Sequence, residues 1–204
     1  MTHPVLHLAS ASPRRREILT TLGLSFTCDG VDIDESAVAS ESVSDMALRL
    51  ATGKARSAFD TGDYGVPVLG ADTIVVLDDR VFGKPGSKAD ALHMLACLSA
   101  RTHQVLTGVA VLTDGGLETA LSRTDVQFRE IGPDEAEAYW QSGEPAGKAG
   151  AYAVQGLGGI FVSAIRGSYT GVVGLPVYET ADLLVRAGVE LPTLCGRQPQ
   201  DEYD

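Results

Sequence analysis

Residues 70–85 read GADTIVVLDDRVFGKP, and this stretch sets the kind of fold the chain can adopt. From 66 to 77, apolar side chains occupy both faces of an extended run, the mark of a strand buried from both sides rather than a half-solvated one. Asp72 stands in the middle of it. An ionised carboxylate there is costly unless it meets a cation or several hydrogen-bond donors, so Asp72 needs a partner that the strand does not supply. With Asp78 and Asp79 as a two-residue hairpin turn, antiparallel pairing sets Lys84 opposite Thr73 and diagonal to Asp72, within reach of a long side chain. Pro85 holds Lys84 extended and so directs its exit from the backbone. Two readings are open on this stretch alone: a structural ion pair under a hairpin, or a catalytic carboxylate with a cation beside it.

Towards the N-terminus, residues 5–9 read as a strand, Ser12 as a helix cap and Pro13 as the first helical residue, with the helix ending at Gly23. Arg14, Arg15 and Arg16 crowd a helix end that already carries partial positive charge, where acidic residues are the stabilising choice. A bound anion resolves the conflict. Free backbone N–H groups, a Ser hydroxyl and guanidinium groups together make a phosphate site, and the alternative is three arginines splayed into solvent about 100° apart. Residues 25–31 form a second strand that runs into Asp32, Ile33, Asp34 and Glu35, with Glu35 facing away from the two aspartates. A divalent cation on a polyphosphate needs carboxylate oxygens, which Glu35 and Asp72 can supply together. Residues 42–59 show helical spacing with Lys54 beside the apolar stripe, where an ammonium either snorkels to water or enters a cleft.

Towards the C-terminus, 88–98 reads as a helix, 103–112 and 117–128 as long strands, and Gly132 with Pro133 as the start of a helix that Gly143 and Pro145 end. His3, His7, His93 and His103 share no metal-ligand spacing and read as structural or exposed. Residues 147–176, GKAGAYAVQGLGGIFVSAIRGSYTGVVGLP, are dense in glycine, which marks tight turns and close backbone approach. This is a loop-rich sheet edge or the wall of a ligand cleft, with the Gln155 amide offering one acceptor and two donors. No Walker A pattern or dinucleotide fingerprint occurs. A last helix follows from Leu175 and Pro176 to Gly188, then a polar tail over 191–204.

The length of 204 residues suits one domain over 1–190, with room for two lobes and a sizeable core. A net charge of -11 excludes general binding to nucleic acid or membrane surfaces, so any anion site must be local. Cys28, Cys97 and Cys195 lie far apart with no CxxC pair, which indicates neither zinc nor a disulfide framework and fits a reducing cytoplasm. The early arginines follow a short apolar run instead of preceding it, the wrong order for a secretion signal. Asp72 interrupts the best apolar stretch, so no window reaches membrane-spanning length.

Taken together, SASPRRR, DIDES, LATGKA, GADTIVVLDDRVFGKP and AYAVQGLGGIFVSAIRGSYTGVVGLP resemble, in order and spacing, the Maf family of nucleoside triphosphate pyrophosphatases. The resemblance runs from Leu8 to about Leu184. It implies an α/β fold of the Maf/ITPase-like kind, an elongated mixed β-sheet flanked by helices, in two lobes with a central cleft. It implies hydrolysis of a nucleoside triphosphate to the monophosphate and pyrophosphate with a divalent metal, Mg²⁺ or Mn²⁺, and often a homodimer. The AYAVQG segment is similar to the branch acting on dTTP and UTP, not to the 7-methyl-GTP branch, which carries a glutamate-containing sequence there. A uracil or thymine edge presents an N3–H donor beside carbonyl acceptors, which the Gln155 amide can match with two hydrogen bonds.

By the same resemblance Asp72 aligns with the proton acceptor, and Arg14, Thr73 and Gln155 align with positions linked to substrate choice. Glu35, Lys54 and Lys84 match the remaining polar cleft positions, while Ser10 and Arg15 match the start of the phosphate-binding block. Glu35 and Asp72 are then expected to hold the metal, Asp72 to act on the attacking water, and Ser10, Arg14, Lys54 and Lys84 to hold phosphate oxygens. The alternative is a nucleotide-binding regulator of cell division, using the same cleft with little turnover. A cleft for a modified pyrimidine nucleotide is a third possibility.

Overall fold

The computed structural model describes residues 3–62 and 64–192. Most of the expected polar tail, with Cys195, therefore lies outside the described residues. The chain runs through β1 (Leu6–Ala9), α1 (Pro13–Thr21), β2 (Phe26–Asp29), α2 (Val43–Thr61), β3 (Val68–Leu77) and β4 (Arg80–Phe82). It continues through α3 (Lys88–Leu98), β5 (Thr102–Thr113), β6 (Gly116–Phe128), α4 (Pro133–Gln141), β7 (Val162–Arg166), α5 (Tyr169–Val173) and α6 (Val177–Arg186). Among the described residues no helix is long and apolar enough to cross a membrane.

The seven strands form one mixed sheet in the order β2-β1-β3-β5-β6-β7, with β4 beside β3. β1 pairs parallel with β2 and β3, whereas β5, β6 and β7 continue the sheet antiparallel. Strand β3 is the hub, as its two-sided apolar pattern requires. One edge pairs with β5 from Val68 to Val76. The other edge is shared: β1 takes Val68 and Leu69, and β4 takes Val75, Val76 and Leu77. Between those two partners, Gly70 to Ile74 have no strand beside them on that edge. The sheet opens there, and Asp72 and Thr73 sit at the opening.

Side-chain alternation along β3 separates two faces. Val68 packs with Ala51, Ala55 and Ala58 of α2, and Ile74 and Val76 pack in a cluster with Ala47 of the same helix. Leu69 and Ala71 point the other way, against Ile18 and Leu19 of α1 and Leu183 and Leu184 of α6. Val75 and Leu77 share that second face but join Leu95 and Leu98 of α3 and Tyr139 of α4. The second face thus carries two cores, one on each side of the opening. Leu6, Leu8, Leu19, Leu69, Leu95, Leu98 and Leu183 are fully enclosed, each worth about 1.5–3 kcal/mol on burial.

Local signals account for most element ends. Ser42 accepts from the Asp45 N–H and Ser87 from the Asp90 N–H, so both helices start on side-chain caps. Asp78 and Asp79 both hold positive φ, 49° and 61°, as the expected two-residue hairpin turn requires. Ser12 does occupy the N-cap of α1 but makes no side-chain cap bond; its own N–H donates to Ser10 Oγ at 3.2 Å. The acidic run after β2 is not a strand extension, since β2 ends at Asp29, and the face expected for Glu35 is set by a loop instead.

Candidate active site

The opening beside β3 is the mouth of a cleft of about 380 Å³, lined by all nine site residues singled out above: Ser10, Arg14, Arg15, Glu35, Lys54, Asp72, Thr73, Lys84 and Gln155. Five cations line it (Arg14, Arg15, Lys54, Lys84 and Lys148) against two carboxylates, Glu35 and Asp72. In a chain of net charge -11 this is a local concentration of positive charge, suited to a polyanion of modest size.

Asp72 is 8% exposed, and its partner is a lysine, though not the one that hairpin pairing pointed to. Lys54 Nζ of α2 lies 2.5 Å from Asp72 Oδ1 and 2.8 Å from a Glu35 carboxylate oxygen. The β4 pairing stops at Phe82, so Lys84 leaves the hairpin before reaching Thr73 and stands exposed on the cleft wall. Lys54 reaches Asp72 because α2 rides unusually close to the sheet. A Cβ on Gly70 would lie 2.3 Å from the Ala51 carbonyl oxygen, and one on Gly108, which pairs with Asp72, would lie 2.4 Å from that of Ala47. Glycine on the sheet and alanine on the helix bring the backbones together, and Lys54 follows Ala51 by three residues onto the cleft side. Its hydrogen bond to Glu35 holds that carboxyl below the usual range, while partial burial works against the shift.

From the opposite face comes Arg15. Its Nε donates to the Gly174 carbonyl at 2.8 Å, Nη1 to Ser10 Oγ at 3.1 Å and Nη2 to Thr73 Oγ1 at 3.3 Å. Burial lowers its pKa, with Asp72 nearby acting in the opposite sense. Thr107 Oγ1 donates to the Gly171 carbonyl at 2.8 Å. Its one proton is then used, so in the 3.0 Å contact between Thr73 and Thr107 it is Thr73 that donates. Thr73 thereby faces Arg15 as an acceptor. The three arginines of α1 have three different fates: Arg15 is buried, Arg14 half-buried at the cleft and Arg16 exposed. Arg14 Nε is a buried donor with no partner among the described residues. Its pKa is lowered by burial, and the pKa of Lys148 is lowered by burial and then by Arg14. Cations so placed call for an anion between them.

The glycine-rich segment forms the facing wall. It contains two 3-10 turns, Ala149–Ala151 and Leu157–Phe161, before the edge strand β7, so both the cleft-wall and the sheet-edge readings hold for parts of it. Gln155 is exposed at the cleft, in a turn closed by the Gly156 N–H to the Ala153 carbonyl at 3.2 Å. Sequence reasoning passed over Lys148 and Thr107. Lys148 carried a signal, a lysine at the head of a glycine-rich wall facing a phosphate site; Thr107 carried none, being one more residue of a strand. Of the histidines, His7 and His103 are buried and structural, His7 stacked on Tyr64 at 3.7 Å and His103 bonded to the Tyr152 hydroxyl at 2.9 Å.

The oxygen donors of Glu35 and Asp72 suit a hard divalent cation. Both carboxylates already meet one ammonium, so a single positive centre can be shared between them. Among the described residues no group of three or more His, Cys, Asp or Glu gathers, which fits a Mg²⁺-like ion only where substrate phosphates and water complete the shell.

The chain resembles known proteins along almost its whole length. A family model described as Maf-like protein matches residues 5–187. The dTTP/UTP pyrophosphatase of Pseudoalteromonas translucida is 52% identical over 184 residues, covering 90% of this chain and 97% of that protein. Those of Bordetella avium and Vibrio parahaemolyticus are each 48% identical, covering 93% and 88% of this chain and 98% and 95% of theirs. The solved structure of the Staphylococcus aureus Ham1 protein aligns at TM-score 0.40 and 15% identity over 63% of this chain and 72% of that one. The blocks that line the cleft and the family match coincide, and the chain belongs to the Maf-like protein family.

Proposed function

We propose that this protein is a nucleoside triphosphate pyrophosphatase that hydrolyses dTTP and UTP to the monophosphate and pyrophosphate. The carrying observation is the cationic cleft with Asp72 at its centre, in a chain about half identical to proteins named dTTP/UTP pyrophosphatase. Arg14, Lys84, Lys148 and the Ser10 hydroxyl hold phosphate oxygens and offset charge as pyrophosphate leaves. Arg15, fixed by its three protein bonds, presents its remaining N–H groups in a defined direction. Lys54 holds Asp72 Oδ1, and the carboxylate keeps Oδ2 to orient water and take its proton. Gln155 reads the pyrimidine edge at the far wall.

Glu35 and Asp72 are the residues that would hold Mg²⁺ or Mn²⁺, which when bound supplies charge neutralisation and polarisation of the phosphoryl oxygens. Lys54 would then shift towards phosphate. The proposal places the protein in the cytoplasm, consistent with the free thiols of Cys28 and Cys97, acting on free nucleotides and not on nucleic acid, as a homodimer. A panel of triphosphates assayed for pyrophosphate release, with metal and with chelator, tests it. Release from dTTP and UTP that chelator abolishes is the expected result. Binding of triphosphates with no release at any metal concentration would refute it in favour of a regulator.

A further inference from the structure

The loop that carries Gln155 is held from behind by two side chains outside the cleft lining. Tyr139, at the end of α4, donates its hydroxyl to Glu144 Oε1 at 2.7 Å and accepts the Ala153 N–H on the same oxygen at 3.1 Å. Glu144 Oε1 also accepts the Gly158 N–H at 2.9 Å, and Oε2 the Leu157 N–H at 2.9 Å. Ala153 and Leu157 flank Gln155 by two residues on either side. The carboxylate also meets the exposed N–H groups at the start of the 3-10 turn, where an anion is favoured.

The glycines around Gln155 fit this arrangement. A Cβ on Gly156 would lie 2.0 Å from Glu144 Oε2, and one on Gly158 would lie 2.5 Å from the Tyr139 hydroxyl. Gly156 and Gly158 let the loop lie directly on the carboxylate and the phenol. The Tyr139 ring is itself fixed edge-on to Phe161 at 5.0 Å, within the core around α3 and α4. Burial raises the Glu144 pKa, but the Gly158, Tyr139 and Leu157 hydrogen bonds outweigh it and leave the group below its ordinary value, so it is ionised in the clamp.

We propose that Glu144 and Tyr139 are positioning residues for nucleobase selection, acting through Gln155 by clamping both flanks of its turn. This deepens the proposed function and rests on it for the identity of the base. An amide reads uracil against cytosine by which of its ends faces which edge atom, so selection needs the turn held in one orientation. Loosening the turn costs selectivity before it costs chemistry, because, Lys148 apart, the phosphate and Asp72 side of the cleft stands on other elements.

The test uses Glu144→Gln, Tyr139→Phe, Gln155→Ala and the double variant Glu144→Gln/Gln155→Ala. In Glu144→Gln the amide NH₂ faces a backbone donor, so one flank is released; Tyr139→Phe frees the Ala153 flank and keeps the ring. Each is expected to raise KM for UTP about tenfold, 1.4 kcal/mol of binding, to leave kcat within about threefold, and to lower the UTP-to-CTP preference in kcat/KM. The double variant should lose no more than Gln155→Ala alone, the signature of one residue acting through the other. Unchanged preference, or losses that add, overturns the proposal. Amide exchange over 153–158 reads the clamp without turnover: Glu144→Gln should exchange at least about tenfold faster there, with α3 and β5 unchanged. Equal exchange overturns the clamp whatever the activity. A wild-type protein that releases pyrophosphate from no triphosphate would sink the functional reading while leaving the exchange result to decide the clamp.

Discussion

Asp72 is a carboxylate whose position makes chemical sense only with cations around it. Lys54 supplies one at 2.5 Å and Glu35 shares that lysine at 2.8 Å. Asp72→Asn keeps the shape and leaves Lys54 paired to Glu35. Turnover of dTTP is expected to fall at least about 100-fold, the size of a general-base contribution, with little change in the urea midpoint. A variant with normal pyrophosphate release would refute the assignment. Thr107, one residue removed from the cleft, makes a finer case. Its hydroxyl passes a hydrogen bond from Thr73 to the Gly171 carbonyl, and it is 1% exposed. Thr107→Val strands the carbonyl and leaves the Thr73 hydroxyl proton without its acceptor, so the rotamer that accepts from Arg15 is no longer held. We expect a stability loss of about 1–3 kcal/mol from the unpaired groups and a higher KM for UTP. Equal KM with lower stability would reduce Thr107 to a structural role.

At the scale of elements, the site is made by how α2 crosses β3 and β5. Gly70 and Gly108 leave no room for a Cβ against the carbonyl oxygens of Ala51 and Ala47, and backbone cannot swing aside as a flexible side chain does. Gly70→Ala should therefore lift α2, costing about 1–3 kcal/mol or somewhat more as overpacking, and should draw Lys54 away from Asp72. Urea unfolding reads the first effect and kcat/KM the second. Stability lost without activity lost would mean that Lys54 does not depend on the close crossing. This crossing also marks the limit of what the sequence shows. The buried strand at 70–77, the Asp78–Asp79 turn and the helix at 88–98 were legible because period and turn chemistry are local. The α1 arginines were legible as a conflict with the helix dipole, but which of them turns inward depends on where α1 packs. Lys84 was the natural partner for Asp72 by hairpin register; Lys54 displaced it because two glycines on neighbouring strands admit a helix, and a contact of that kind has no pattern in a single segment.

Over the whole molecule, the charge of -11 and the five cations of one cleft divide the surface between general repulsion of polyanions and one attractive site. Acid alters this balance through buried histidines first. His103 lies on β5 at 1% exposure, with Nε2 on the Tyr152 hydroxyl at 2.9 Å and its ring edge-on to Phe128 at 4.8 Å. Burial lowers its pKa from 6.5 to about 4. The folded value lies below the unfolded one, so the unfolded chain takes up the proton first as pH falls. The stability held at pH 7 is therefore lost between about 6.5 and 4, at roughly 1.36 kcal/mol per pH unit and about 3 kcal/mol in all. His7, lowered by burial against the opposing pull of Asp29, acts with the same sign. Glu35 and Glu144, held below their ordinary values, add a further loss only as pH falls beneath the carboxylate range. Urea unfolding at a series of pH values from 7.5 to 4.5 should show stability falling through the histidine window. His103→Leu, which cannot take up that proton, should be less stable at pH 7 because Tyr152 loses its partner, yet show a slope smaller by up to one proton. An unchanged slope in the variant would mean that His103 is not the group that titrates.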